Sequence, residues 1–347
     1  MTKNFDPNAA ASGDGIFGLP FTEEEAQLIL IPVPWEATTS YGGGTSLGPE
    51  VILKASKQVD LFDFELGNFF KAGIAMQSAS NNMQDWNTKA RKAAEYVIAH
   101  QNTMDDPQVL AELKKVNTYS LSVNQEVYSQ VKQLLLAGKK VGLVGGDHST
   151  PFGAIQAFLE KYPNMGILHF DAHADMRHAY EGFQHSHASI MYNVITQTNL
   201  QKLVQVGIRD FCEEEFDFIK TNSSRIQTFF DVILNNKKMN GISWSAICDE
   251  IVDSLPEEVY ISFDIDGLDP RFCPHTGTPV PGGLDFFEAL FLIKKVKLSN
   301  RKIIGFDLNE VSPGTKKHSE HPDTAAEWDA NVGARLLYKL CGFVLQS

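Results

Sequence analysis

The chain has 347 residues, of which 43% are hydrophobic and 21% are charged, a composition that is typical of globular proteins. Its net charge of −13 argues against nucleic acid or an anionic membrane as a partner and favours a cationic small-molecule substrate. The four cysteines form no CxxC pair, which argues against a zinc finger or a disulfide scaffold. There is no run of about 18 apolar residues and no N-terminal basic segment followed by an apolar one, so we expect a cytoplasmic protein without a membrane span or a secretory signal.

The start of the chain predicts a tail, a strand and a loop. Residues 1–25 are polar and rich in small residues, and we expect a tail or surface arm. Residues 26–347 contain no repeat or low-complexity linker, so we assign them to a single domain. A strand is predicted at 28–33, before the glycine-rich loop Ser40-Tyr41-Gly42-Gly43-Gly44-Thr45. No Gly-Lys-Ser/Thr follows this loop, so it does not indicate a phosphate site, and a helix is predicted to begin at Pro49.

The next part of the chain has a helical pattern. Residues 84–118 are polar with regularly spaced alanines and aliphatic residues, and we interpret them as a helical insertion packed on the surface. A stronger helix follows, with Ser122 or Asn124 as its N-cap and Gly138 at its end.

Strand and helix patterns then alternate to the end of the chain. The strands are nearly continuous apolar runs, at 141–144, 166–170, 203–208, 227–230, 259–263 and 302–306. Helical patterns fit 150–161, 187–195, 286–296 and 325–340. This alternation predicts an α/β fold with a parallel sheet covered on both faces.

Three acidic segments each follow one of the predicted strands. They are Gly145-Gly146-Asp147-His148-Ser149, Asp171-Ala172-His173-Ala174-Asp175 and Asp264-Ile265-Asp266. Ligand sites in such sheets lie beyond the carboxyl ends of the strands, and a spacing of two turns side chains of an extended chain to the same side. We therefore expect six side chains to converge: His148, Asp171, His173, Asp175, Asp264 and Asp266.

Six such groups would be costly to bury unless cations neutralise them. An oxygen-rich set without thiolates suits Mn²⁺ better than a structural zinc. Two ions roughly 3.5–4 Å apart can share carboxylates and one water molecule, whose pKa they lower. The sequence therefore predicts a binuclear metal site with a water nucleophile.

The three segments resemble the signatures of the arginase–agmatinase (ureohydrolase) family. Further similar motifs are Gly207-Ile208-Arg209, Gly277-Thr278-Pro279, Pro281-Gly282-Gly283 and Asp307-Leu308-Asn309-Glu310-Val311-Ser312-Pro313. The similarity extends from about residue 28 to residue 345. It implies a three-layer αβα sandwich with a mostly parallel central sheet and two Mn²⁺ ions. It also implies a homo-oligomer, a trimer or a hexamer.

The resemblance assigns a role to each matching residue. It implies one metal held by His148, Asp171, Asp175 and Asp264, and another held by Asp171, His173, Asp264 and Asp266. All six positions keep the family's residue, so an active hydrolase is expected. Glu310 matches the carboxylate that binds the guanidinium group, and His187, rather than His185, matches the histidine that transfers a proton. Together with Asp175, these two residues are the predicted catalytic groups.

The implied reaction releases urea and an amine from a small guanidino compound. The segment Met176-Arg177-His178-Ala179-Tyr180-Glu181-Gly182-Phe183 resembles the agmatinase branch, so an agmatine-like substrate is predicted and arginine is disfavoured. Free guanidine and guanidino acids are alternatives, since Arg177 could bind a carboxylate, although an ion pair of Arg177 with Glu181 or a neighbour is also expected. Ni²⁺ is the alternative metal.

Several residues depart from the family pattern. Glu50-Val51-Ile52-Leu53 stands where relatives place an arginine, and the 84–118 segment is not a standard feature. His275 replaces a small residue and could narrow the pocket, whereas Trp35 is expected in the core. His178, His318 and His321 are expected to be exposed.

Two other classes of protein remain as alternatives. A zinc deacetylase on the related fold would need only Asp171, His173 and Asp264, so the other three groups argue against it. A non-catalytic metal-binding regulator would have no use for Glu310 and His187. Metal counting and urea release distinguish the three hypotheses.

Overall fold

A single eight-stranded sheet forms the centre of the protein. The computed structural model describes residues 5–11, 13–314 and 322–347, without the side chains of 322–327. The strands are β1 (Leu28–Val33), β2 (Ile74–Met76), β3 (Lys140–Gly145), β4 (Gly166–Phe170), β5 (Lys202–Ile208), β6 (Ile226–Phe230), β7 (Glu258–Asp264) and β8 (Lys302–Asn309). They lie in the order β2-β1-β3-β8-β7-β4-β5-β6, and every neighbouring pair is parallel.

Helices cover both faces of the sheet. They are α1 (Gly48–Ser56), α2 (Asn81–Ala99), α3 (Pro107–Leu136), α4 (Phe152–Lys161), α5 (Ile190–Gln197), α6 (Glu213–Thr221), α7 (Asp231–Met239), α8 (Trp244–Asp253), α9 (Phe286–Leu298) and α10 (Pro322–Leu345). None of these described helices has an apolar stretch long enough to cross a membrane.

The two faces of the sheet bury separate clusters of side chains. Successive strand residues point to opposite faces, so Val144 belongs to a cluster with residues of α1, α8, α9 and α10, whereas Leu143 belongs to a cluster with residues of α3, α4 and α5. Burial on both faces explains why the strands read as continuous apolar runs. The predicted three-layer αβα sandwich with a parallel central sheet is confirmed.

One helix differs from its predicted form. The prediction placed an N-cap at Ser122 or Asn124, but α3 runs unbroken from Pro107 to Leu136. Its N-cap is Asp106, whose carboxylate accepts a hydrogen bond from the backbone N–H of Gln108 at 2.7 Å. Polar residues inside a long amphipathic helix imitate a cap in the sequence, so the expected cap is wrong. The single-domain boundary and the status of 84–118 as an insertion stay predictions.

The N-terminal segment is not a free arm over the residues next to β1. Ile16, Phe17 and Leu19 are buried in the core. The backbone N–H of Phe17 donates to Ser56 Oγ at 2.9 Å, and the Phe17 ring lies edge-on to Tyr338, with 4.8 Å between ring centroids. The prediction of a tail over 1–25 is therefore wrong for these residues, because the polar composition around them hid a short apolar anchor.

We expect this anchor to stabilise the fold. Phe17→Ala should lower the free energy of unfolding by about 3–5 kcal/mol, because it removes a buried ring. Phe64→Ala is the matched control, since Phe64 is 94% exposed and its loss should change stability by less than about 0.5 kcal/mol. Denaturant titration of both variants measures the difference, and equal midpoints would contradict an anchoring role.

Candidate metal centre and active site

The topology of the sheet brings the predicted motifs together. In the order β3-β8-β7-β4, four neighbouring strands end at the same edge. His148 follows β3, Glu310 follows β8, Asp264 ends β7, and Asp171 follows β4. Residues far apart in the sequence therefore meet at one edge of the sheet.

Three carboxylates surround one imidazole nitrogen. His148 Nδ1 lies 2.9 Å from Asp171 Oδ2, 3.2 Å from Asp175 Oδ2 and 3.3 Å from Asp264 Oδ2. All four side chains are buried. One imidazole cannot neutralise three carboxylates, so this half of the site has the charge and the ligand atoms that suit a divalent cation.

A second group of ligand atoms adjoins the first. His173 Nδ1 lies 3.1 Å from Asp266 Oδ2 and 3.5 Å from Asp171 Oδ1. Asp171 thus contributes one oxygen to each group, as a bridging ligand would. All six residues predicted from the sequence lie together, and the two groups fit a pair of divalent cations. Their assignment as ligands stays a prediction.

The carboxylates of the cluster repel one another, and their pKa values show this repulsion. Burial, followed by repulsion from Asp266 and Asp171, raises the pKa of Asp264 well above its usual value. Burial and the charge of Asp171 raise the pKa of Asp175 to about 7. Burial opposes ionisation of Asp171 as well, but hydrogen bonds from three histidines outweigh it and hold the pKa of that carboxyl well below its usual range. Bound cations would relieve the repulsion and keep every carboxylate ionised.

His169 belongs to the cluster, although the sequence analysis missed it. It lies in β4, and its Nε2 is 2.8 Å from Asp171 Oδ2. Gln205 Nε2 lies 3.1 Å from His169 Nδ1 and donates to the Ala174 carbonyl at 2.9 Å. When Nδ1 accepts a hydrogen bond from Gln205 Nε2, the ring proton lies on Nε2, which donates to Asp171 and orients that carboxylate. The signal was the spacing of two from Asp171, but a histidine in an apolar strand resembles an ordinary core residue.

A second buried network orients His148. Its Nε2 lies 2.9 Å from Ser262 Oγ, which donates to Asp307 Oδ1 at 2.9 Å. Asn309 Nδ2 also donates to this oxygen, at 2.6 Å. These hydrogen bonds fix the His148 ring with its Nδ1 toward the carboxylates. Metal-binding histidines commonly have their second ring nitrogen hydrogen-bonded in this way.

Glu310 and His187 present unpaired polar atoms beside the cluster. Glu310 Oε1 accepts a hydrogen bond from the backbone N–H of His148 at 3.0 Å, whereas Oε2 is buried without a partner among the described residues. His187 Nδ1 lies 3.9 Å from Glu310 Oε1, and His187 Nε2 is likewise buried and unpaired within the described part of the chain. Burial lowers the pKa of His187 to about 4, so its ring is neutral near pH 7. Buried polar atoms without a partner are rare, and these two are placed to form hydrogen bonds with a bound substrate.

The alternative histidine lies elsewhere. His185 Nδ1 is 3.3 Å from Asn124 Nδ2, and its ring packs against Phe152. The structure thus places His187, and not His185, beside Glu310, and the proton-transfer role of His187 stays a prediction.

A cavity of about 140 Å³ opens beside the cluster and His187. Its lining includes His173, Asp175, His187, Ser40, Tyr180 and Arg177. Arg177 Nε lies 3.6 Å from Glu215 Oε2, so its ion-pair partner is Glu215 and not Glu181. A larger cavity of about 560 Å³ between β1, α1 and α2 contains none of the predicted catalytic residues, and we therefore assign the chemistry to the smaller one.

Other departures noted in the sequence also have a place in the structure. His275 donates its backbone N–H to Asp329 Oδ1 at 2.9 Å, and its Nδ1 lies 2.9 Å from Asp329 Oδ2. It is held by Asp329 and is not among the residues that line the smaller cavity. Trp35 is buried in the core and His178 is exposed, whereas His318 and His321 lie outside the described residues.

We expect His169 to control metal affinity through Asp171. His169→Leu removes the hydrogen bond to Asp171 Oδ2 and should weaken Mn²⁺ binding about 10–100-fold, as is usual for partners of metal ligands. His185→Leu is the matched control, because His185 is also buried but touches none of the six predicted ligands. Metal titration of the apo-proteins measures both affinities, and a His169→Leu variant with unchanged affinity would refute this role.

Comparison with known proteins identifies the family. The chain matches the arginase family over residues 26–341. It is 28% identical to an N(1)-aminopropylagmatine ureohydrolase of Synechocystis, covering 92% of this chain and 89% of the relative. It is 31% identical to an N(1)-aminopropylagmatine ureohydrolase of Thermus thermophilus, covering 86% of each chain. The crystal structure of an agmatine ureohydrolase of Thermoplasma volcanium superimposes with a TM-score of 0.71 at 23% identity, covering 96% of this chain and 95% of the other. The family and the fold predicted from the sequence are confirmed, and the chain belongs to the arginase family.

Proposed function

We propose that this protein is a binuclear-metal ureohydrolase that cleaves the guanidinium group of a small, agmatine-like compound to urea and an amine. The observation that carries the proposal is the buried cluster of four carboxylates and two imidazoles beside the unpaired atoms of Glu310 and His187. The relatives support the substrate class, since those described above are ureohydrolases of agmatine or aminopropylagmatine.

The six residues of the cluster are the proposed metal ligands. His148, Asp175 and Asp264 would hold one ion, His173 and Asp266 would hold the other, and Asp171 and Asp264 would bridge them. The donor set favours Mn²⁺, with Ni²⁺ as the alternative. Two bound cations would supply the charge that lowers the pKa of a water molecule and turns it into a nucleophile.

Glu310 is proposed to bind and orient the substrate. A guanidinium group pairs with a carboxylate through two parallel hydrogen bonds, and Glu310 Oε2 is free to accept one of them. Burial raises the pKa of Glu310 well above its usual value, which favours the neutral carboxyl group. A cationic guanidinium beside it would counter this shift and keep the carboxylate ionised. The backbone N–H of His148 fixes the other oxygen, which sets the plane of the carboxylate relative to the cluster.

His187 is proposed to transfer the proton that the leaving amine needs. Water adds to the guanidinium carbon, the bond from this carbon to the alkyl-bearing nitrogen breaks, and that nitrogen must gain a proton as it departs. A neutral imidazole can accept at Nε2 a proton that the added water loses and deliver it to this nitrogen. Asp175 completes the proposed catalytic set, because it lines the cavity and also contacts His148.

The cavity favours a cationic substituent on the substrate. Its lining carries the carboxylate of Asp210, while the charges of Arg177 and Glu215 offset each other in an ion pair. A guanidino acid would need Arg177 to leave this pair, and free guanidine would leave the outer part of the cavity empty. We further propose a cytoplasmic homo-oligomer, a trimer or a hexamer.

A urea-release assay tests the function. Protein loaded separately with Mn²⁺ and Ni²⁺ should release urea from agmatine faster than from guanidinobutyrate, guanidinopropionate, arginine or guanidine, with two metal ions bound per chain. Faster turnover of guanidine or of a guanidino acid would correct the substrate. Absence of urea from every compound, or a single bound zinc, would refute the ureohydrolase assignment and favour the deacetylase alternative.

The role proposed for Glu310 has its own test. Glu310→Gln removes the charge that pairs with the guanidinium group, a loss of about 2 kcal/mol or more, so kcat/KM should fall about 30-fold or more. Metal content should stay unchanged, because Glu310 is not among the proposed ligands. Glu310→Asp is the matched control, since it keeps the charge and should retain more activity than Gln. Loss of metal in proportion to the loss of activity would show that Glu310 acts on the metal centre and not on the substrate.

A further inference from the structure

The helix pair α2–α3 packs directly against an active-site loop. We name residues 177–187 the tyrosine loop. One residue of this loop, Phe183, is fully buried in a cluster with Ala93, Ala94 and Val97 of α2 and with Val109 and Val116 of α3. The helix pair therefore serves as the packing surface on which this loop is held.

The anchored residue lies one turn away from the cavity. Tyr180 and Phe183 exchange backbone hydrogen bonds of 3.3 Å and 2.9 Å, with Glu181 and Gly182 between them at φ values of 53° and 85°. Two positive φ angles in a row define a tight turn, which couples the positions of its ends. Tyr180 lines the cavity, and its ring is edge-on to His187 with 6.4 Å between centroids.

Polar contacts from the helices fasten the same loop. Gln101 Nε2 lies 3.3 Å from the Glu181 carbonyl, and Asn117 Oδ1 accepts a hydrogen bond from the backbone N–H of Gln184 at 3.0 Å. Gln101 lies in the short turn after α2, and Asn117 lies in α3. The tyrosine loop is thus held by apolar and polar contacts from α2, α3 and the turn between them.

A second loop at the cavity is tied to the same helices. We name residues 36–44 the glycine loop; its Ser40 lines the cavity. Arg91 of α2 donates through Nη1 to the Thr39 carbonyl and, at 2.9 Å, to Thr39 Oγ1. One turn earlier on α2, Asn87 Oδ1 accepts a hydrogen bond from the backbone N–H of Glu36 at 2.8 Å.

The two loops also touch each other next to the Arg91 contact. Thr38 Oγ1 accepts a hydrogen bond from the backbone N–H of His187 at 3.3 Å. Arg91 faces the tyrosine loop electrostatically as well, since burial raises the pKa of Glu181 and the charge of Arg91 opposes this shift. Glu181 Oε2 has no hydrogen-bond partner in the described part of the chain, so the charge of Arg91 is what favours the ionised carboxylate.

We propose that Arg91 is a positioning residue, which fixes the glycine loop and, through it, the His187 end of the tyrosine loop. Arg91 makes no hydrogen bond to the proposed ligands, to Glu310 or to His187, so it acts on them through its hydrogen bonds to Thr39 and through its charge. The kinetic consequence rests on the proposed ureohydrolase function, whereas the effect on loop order does not.

The test compares Arg91→Met, Arg91→Lys and Lys92→Met with the full-length wild-type protein. Lys92 is the matched control, because it is the next residue on α2 and is exposed. Hydrogen–deuterium exchange should be faster in peptides from both loops in Arg91→Met, and unchanged in Lys92→Met. In Arg91→Lys the charge opposite Glu181 remains but the paired hydrogen bonds to Thr39 are weakened, so exchange should be intermediate.

Kinetics provide a second measurement on the same variants. In Arg91→Met, kcat/KM for agmatine should fall about tenfold or more with kcat reduced, because small displacements of reacting groups are costly, and metal content should not change. Arg91→Lys should restore part of this loss, and Lys92→Met should match the wild type. Wild-type exchange rates in both loops of Arg91→Met would overturn the proposal. If the wild-type protein releases no urea, the proposed function fails while the exchange measurement still decides the role of Arg91.

Discussion

The repulsion among buried carboxylates is the constraint on which the rest of this structure depends. Asp171, Asp175, Asp264 and Asp266 lie together with very little exposure, and burial combined with mutual repulsion raises the pKa of Asp264 well above normal. Isolated carboxylates would move apart or take up protons. Here they are attached to the ends of hydrogen-bonded parallel strands, so the sheet holds the like charges at positions that suit a pair of cations.

The backbone at the cluster is held in conformations that side chains usually avoid. Asp175 and Glu310 have φ values of 55° and 62°, in the left-handed region that favours glycine. The Asp175 carbonyl accepts hydrogen bonds from Met191 and Tyr192 in the first turn of α5, at 3.1 Å and 3.0 Å. Glu310 donates its N–H to the Gly146 carbonyl at 2.8 Å. These hydrogen bonds offset the cost of the strained backbone and hold both carboxylates in the site.

The sequence predicted the parts of the site that depend on local periodicity. A spacing of two within Asp171–Asp175, repeated at Asp264 and Asp266, places side chains on one side of the chain, and a parallel sheet brings strand ends together. The contributions of His169, Arg91 and Phe183 could not be predicted in this way. Each looks like an ordinary strand, helix or loop residue, and the contacts that distinguish it are made with partners that only the folded chain brings close. The burial of Phe17 was missed for the same reason, since its partner Tyr338 lies at the other end of the chain.

The proposed metal ligands and the loops proposed to depend on Arg91 lie in different parts of the fold. The proposed ligands lie on strand ends whose hydrogen bonds extend across the sheet, so a change there disturbs charge balance and backbone together. Part of the cavity lining, including Ser40, Tyr180 and His187, comes from two loops that rest on α2 and α3, outside the central sheet. Side-chain changes on these helices can shift Ser40, Tyr180 and His187 without touching a ligand. If Arg91 positions these loops as proposed, substrate preference can change through the helix pair while the proposed ligands stay the same.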